Sequence, residues 1–267
     1  MPGSQVTSYQ LSVISGDWSL ITGTGSLIAM RLRITFSKTG ALRYTGHLDL
    51  HKLWERTVRR AGLPLAYSQG FHPLPKIQLA AALPLGFSGR TELVDMWIDD
   101  TVGAGFIPSQ GDHEGRPYDE ITKLLQDAAP PGLGILKVEA VNARAPALQT
   151  QVVSAEYEVT LLEPGDGSSL TRRLSAVMEA ESLPRQRRGK SYDLRPLIEE
   201  LSLTPSPSRS TPVGLPRGEG QGVRVFMRLA AREGATGRPE EVLDTLGIAF
   251  ENTRIERARL ILKSGLE

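Results

Sequence analysis

The order in which two hydrophobic periods succeed one another most constrains what this chain can fold into. Arg31 to Ser37 sets Leu32, Ile34 and Phe36 against Arg31, Arg33 and Thr35, the period of two that marks a strand with one buried face. Both arginines then sit on the open face. After the Lys38-Thr39-Gly40 turn, Leu50, Leu53, Trp54, Val58 and Ala61 recur at three-and-four spacing, which puts one apolar stripe on a helix. Gly62 and Pro64 stop it. Ile77 to Leu83 and Thr91 to Asp99 read as strands, Tyr118 to Ala128 as a helix, and Ile135 to Val141 as a further strand. Gly103 to Arg116 between them is a glycine-rich surface excursion.

Strand, helix, strand, strand, helix, strand is the ferredoxin-like arrangement. The second half repeats it with strands over Ser154 to Leu162, Arg185 to Asp193, Val223 to Ala230 and Arg254 to Leu262, and helices over Leu170 to Glu179 and Glu240 to Leu246. The expected fold class is α+β: two tandem ferredoxin-like (βαββαβ) units over 30–150 and 151–267, each an antiparallel sheet with helices on one face. Residues 204–222 are so rich in Pro, Gly and Ser that a mobile loop is expected. Residues 1–29 show neither period for long and lack the features of a signal peptide, so a disordered tail, or upstream sequence ahead of a start at Met30, is expected.

Cysteine is absent, which excludes disulfides, thiolate zinc sites, a cysteine nucleophile and any cysteine-ligated iron–sulfur cluster in this chain. The default expectation is a cytoplasmic home. The apolar run Ile77 to Leu85 is interrupted by Gln78 and Pro84 and falls far short of the roughly 20 residues of a membrane helix, so no membrane partner is expected.

Net charge is only +1, yet Arg31 to Arg90 carries ten Lys or Arg against two acids, Asp49 and Glu55. That concentration is the footprint of a polyanion-binding face, with Arg31, Arg33, Arg56, Arg59, Arg60 and Lys76 as candidate phosphate ligands. Solvated helix surface would look similar, and Arg59 and Arg60 also complement the helix dipole. A second basic segment, PRQRRGKSYDLR, offers Arg185, Arg187, Arg188, Lys190 and Arg195 around Gly189 and Tyr192, a composition suited to gripping RNA phosphates. The two patches fall at comparable places in the two expected units, which favours one shared basic groove.

The histidines carry a separate reading. His47 and His51 share a helix face and would need a third ligand such as His72 to hold a metal, and the weak spacing leaves no metal expected. His72, in the Gly- and Pro-punctuated loop YSQGFHPLP, or His47, is the candidate acid or base on a phosphodiester. A histidine packed in a turn is the bland alternative.

The long string FSKTGALRYTGHLDLHKLWERTVRRAGLPLAYSQGFHPLPKIQLAAALPLG resembles the opening of the radical-SAM-linked bacterial domain of unknown function in its stand-alone form. GKSYDLRPLI and RPEEVLDTLG resemble that family's second half. The resemblance implies a separate radical-SAM protein as partner, with the iron–sulfur cluster and S-adenosylmethionine on that partner and no cofactor in this chain. It supplies no catalytic residues. The favoured expectation is an RNA-binding or substrate-presenting accessory protein working in RNA or ribosome modification. The alternatives are a metal-independent ribonuclease or RNA-modifying enzyme using a loop histidine, and a protein-interaction scaffold.

Overall fold

Strand β1 (Ala29–Lys38) realises the alternation: Leu32, Ile34 and Phe36 are buried against helix α1 (His47–Arg60), which presents Leu50, Trp54, Thr57 and Val58 in return. Trp54 meets Phe36 edge-on, 5.0 Å between ring centres at 78°. The chain then forms β2 (Ile77–Leu79), β3 (Ser88–Asp99), α2 (Asp119–Ala128), β4 (Leu133–Val141) and the short α3 (Leu148–Gln151). The second half contains β5 (Val152–Leu161), α4 (Gly167–Glu179), β6 (Pro184–Arg187), β7 (Lys190–Asp193), β8 (Ile198–Thr204), β9 (Arg224–Arg232), β10 (Ala235–Thr236), α5 (Pro239–Thr245) and β11 (Thr253–Leu262). This computed structural model describes residues 29–99, 118–163, 167–204 and 223–263. The expectations for the N-terminal segment, for Gly103 to Arg116 and for the loop after Thr204 lie outside the described residues.

The protein is a mixed α+β structure with a large, mostly antiparallel sheet. In the first half the strands lie in the order β4-β1-β3-β2, and in the second in the order β11-β5-β9-β8. The two sets form one continuous sheet of nine described strands, because β11 pairs with β3 in parallel, Glu256 opposite Ser88 and Arg257 opposite Gly89. Two separate sheets were the sequence expectation. The second strand of the second half is β8, and the segment expected there, Arg185 to Asp193, is instead a separate hairpin, β6-β7.

Charge is buried where the halves meet. Arg257, 2 % exposed, donates through Nε to Glu92 at 2.8 Å and through a second nitrogen to the other carboxylate oxygen, and also to the carbonyls of Ala82 (3.0 Å) and Ala81 (3.1 Å). Burial works against the Arg257 charge, and the Glu92 carboxylate more than offsets it. Lys38, also buried, donates to the Thr45 carbonyl at 2.9 Å. Burial lowers its pKa, opposed by Glu92 and aided by Arg257.

The opposite face of the first half is covered as well. The connection from β4 into α3 crosses it, and Arg31 donates there to the carbonyls of Ala145 (2.6 Å) and Pro146 (3.0 Å). On the second half that face carries ion pairs, buried Glu156 with the more exposed Arg228 and Arg259, and Glu158 with Arg90. No helix among the described residues is long and apolar enough to cross a membrane.

Candidate nucleic-acid interface

The roll of α1 decides which of its side chains meet solvent. With Leu50, Trp54, Thr57 and Val58 against the sheet, Lys52, Arg56, Arg59 and Arg60 fall on the far side, exposed. None of the four side chains makes a hydrogen bond or ion pair with another described residue, whereas most of the other described arginines are paired. Other cations without a described partner, such as Lys123, Arg144 and Arg172, occur singly among the described residues.

A hairpin stands beside the C-terminal end of this helix. Gly62, at φ +72°, turns the chain out of α1, and Leu65 then pairs with Ile98 on β3. Ala66 N–H donates to the Trp97 carbonyl at 2.7 Å, Lys76 N–H to Ala66 at 2.9 Å and Trp97 N–H to Lys76 at 3.1 Å, so both legs are fixed to the sheet. Between them Tyr67 bridges Pro75, Ser68 N–H donates to the Leu74 carbonyl at 2.8 Å, and Leu74 N–H donates to Ser68 Oγ at 2.9 Å. The tip exposes Phe71 completely (102 %), together with His72, and Leu74 is 67 % exposed behind them. Lys76 is exposed at the base without a described partner. From Arg56 to Thr91 the sequence holds no acid, so the helix end and the hairpin contribute cations and an aromatic but no carboxylate of their own; Asp99 of β3, whose N–H donates to the Pro64 carbonyl at 2.7 Å, lies at the hairpin's base.

Two of the candidate phosphate ligands are elsewhere and already occupied. Arg31 is buried, with Nε and a terminal nitrogen on Asp95 Oδ2 at 2.9 and 2.6 Å and its guanidinium 4.9 Å from the Trp97 ring centre. Arg33 holds the same carboxylate at 2.8 and 3.0 Å. Sequence alternation placed both on an open face. That face is covered by the crossing connection, and Asp95 neutralises the pair there.

The second basic segment divides the same way. Arg185 pairs with Asp244 at 2.7 Å and also reaches Thr245. Arg187 donates twice to Glu241, stacks 4.8 Å from the Tyr192 ring centre, and has its pKa raised chiefly by the Glu241 hydrogen bond. Arg195 is committed to the carbonyls of Met178 (2.7 and 3.1 Å) and Ile198 (3.0 Å). These three fasten the hairpin. Arg188, at φ 50°, and Lys190 flank the Gly189 tip, exposed and without described partners. Arg238, exposed at the start of α5, was not among the sequence candidates, because only the fold brings its segment to the basic hairpin, where the carbonyl of Thr236 accepts from Arg187.

The register relates the two surfaces. β11 runs parallel to β3 and antiparallel to β5, so α4 and α1 both end at the same end of the sheet, and each basic connection follows its helix there. Across the four spacings from β1 to β9, at about 4.8 Å each, the lateral separation is on the order of 20 Å.

The histidines are not brought together. His47 begins α1 and His72 lies beyond its other end, which at about 1.5 Å per residue leaves roughly 20 Å of helix between them. Partial burial, helped by His51, lowers the pKa of His47 from 6.5. His72 is therefore not a third ligand for His47 and His51, and among the described residues no three His, Asp or Glu side chains are grouped to hold a metal.

Residues 31–239 match the model of a family described as an uncharacterized protein conserved in bacteria, DUF2344. No curated protein matches the chain. Among solved structures, the small subunit of acetolactate synthase from Thermotoga maritima is similar at 9 % identity and a TM-score of 0.22, over 88 % of this chain and 97 % of that one.

Proposed function

The chain belongs to the bacterial DUF2344 family, and we propose that it is a non-catalytic RNA-binding accessory protein that presents RNA to a separate radical-SAM enzyme. The observation that carries the RNA part is the set of five cations without a partner among the described residues, Lys52, Arg56, Arg59 and Arg60 along α1 and Lys76 at the base of the exposed hairpin that follows it, where most of the other described arginines are paired. Cations left without carboxylates are available to displace counterions from a phosphate backbone. Arg188 and Lys190, at the same end of the sheet, extend that surface to a second contact on the same strand of RNA. The strand orders support reading the two halves as tandem ferredoxin-like units sharing one sheet.

The radical-SAM partnership rests on the sequence resemblance, and the iron–sulfur cluster and S-adenosylmethionine belong to the partner in this reading. RNA or ribosome modification in the cytoplasm is the setting it implies. The ribonuclease alternative would use His72, which sits exposed with no described side chain to orient it.

A filter-binding titration of the chain against total tRNA and ribosomal RNA at two salt concentrations, with the same samples run on a gel, tests the proposal. Tight, salt-sensitive binding with intact RNA is expected. Absence of binding at low salt would leave the protein-interaction scaffold, and cleavage that disappears in His72→Ala would make the protein an enzyme.

A further inference from the structure

The hairpin between Ala66 and Lys76 is built to hold an aromatic ring away from the protein. An exposed Phe forgoes the free energy its burial would release, and single exposed apolar residues are ordinary. Here, however, Phe71 (102 %), Leu74 (67 %) and Tyr67 (43 %) share one nine-residue projection. Its backbone is closed by the Tyr67–Pro75 bridge and two hydrogen bonds involving Ser68 and Leu74, and Pro73 and Pro75 restrict it further. A stiff support lowers the ordering entropy that a partner would otherwise have to offset. The surrounding charge selects the partner's class: Arg59, Arg60 and Lys76 are exposed and have no partner among the described residues, which fits a polyanion with flat apolar faces.

We propose that Phe71 is a stacking finger for an unpaired nucleobase, with Arg59, Arg60 and Lys76 on the adjoining phosphates, so that the chain selects single-stranded over duplex RNA. The proposal rests on the RNA-binding reading above and adds to it the form of RNA and the residue that distinguishes it. In a duplex the base faces are stacked on one another and closed to Phe71, whereas the phosphates remain reachable. Phe71 therefore contributes to single strands alone, and the cations contribute to both.

The test is fluorescence-anisotropy titration of the full chain with a labelled 12-nucleotide RNA, single-stranded or annealed to its complement, at low and moderate salt. Phe71→Ala is expected to weaken single-strand binding about tenfold, leaving the salt slope and the duplex affinity unchanged, and Phe71→Trp is expected to restore it. Because the ring touches solvent, Phe71→Ala should melt with the parent. Wild-type RNA binding that Phe71→Ala leaves unchanged, or weakens equally on duplex, would overturn the stacking finger while the RNA-binding reading survives. Failure of the wild type to bind either RNA at low salt would overturn both. If Phe71→Ala instead abolishes binding to a radical-SAM protein and leaves RNA affinity intact, the hairpin is a protein-docking element and the stacking proposal is wrong.

Discussion

Replacing Glu92 by Gln should destabilise the junction between the halves. The carboxylate receives two hydrogen bonds from Arg257, and Lys38 lies close enough for Glu92 to favour its charge. Glu92→Gln keeps the shape and one acceptor oxygen but removes the counter-charge, leaving a guanidinium that is 2 % exposed among neutral partners: that amide oxygen, the Tyr157 hydroxyl and the Ala81 and Ala82 carbonyls. Stranding one partner of a buried pair costs about 3–5 kcal/mol. At about 2–4 °C per kcal/mol for a chain of this size, the melting temperature should fall by on the order of 10 °C. Gly89→Ala reaches the same pair from the backbone, since the added Cβ would lie 2.5 Å from the Glu92 side chain, which Arg257 holds in place. Thermal unfolding followed by circular dichroism measures both, and a cycle adding Arg257→Met measures the coupling. The double variant should lose less than the sum of the singles, because neither charge is then left alone. A fall under about 2 °C for Glu92→Gln, or strict additivity in the cycle, would refute the claim that this pair holds β3 to β11.

Two further outcomes follow from the cores and the outer face. Trp54 is fully buried and its Nε1 has no partner among the described residues, so Trp54→Phe should cost less than about 1.5 kcal/mol while Trp54→Ala costs about 3–5 kcal/mol, read as shifts in the urea midpoint. Glu156 holds its carboxyl below its ordinary 4.5, chiefly through the Arg259 hydrogen bond and then through Arg228. The unfolded chain therefore takes up this proton first as pH falls, so the stabilisation present above that value is lost on acidification. Between about pH 5 and about pH 3 the wild type should lose more stability than Glu156→Gln.

The residues show which parts of this structure a sequence can disclose. The strand alternation from Arg31, the stripe of Leu50, Trp54 and Val58, and the outward cations of α1 all depend on spacing within one element, and spacing is what a sequence records. The commitment of Arg31 and Arg33 to Asp95 depends on a strand more than sixty residues away and on a connection more than a hundred away. Alternation identifies a face without saying what covers it. Arg185, Arg187 and Arg195 read as a free basic run for the same reason, since Asp244, Glu241 and the Met178 carbonyl arrive only with the fold. The parallel contact of β11 with β3 involves few residues and leaves no local pattern. Phe71 was legible as an aromatic between turn residues, Gly70 and Pro73, but its full exposure was not.

The central claim is that the unpartnered face of α1 binds RNA, and the most direct measurement is the salt dependence of RNA affinity for the wild type and for Arg56→Glu/Arg59→Glu/Arg60→Glu. These side chains are exposed and without a described partner, so the triple variant should fold like the parent. If each arginine neutralises a phosphate, the slope of log K against log salt should become shallower by about 2, with affinity at low salt falling at least tenfold. A parent that binds RNA with a slope and affinity unchanged in the triple variant would contradict the account.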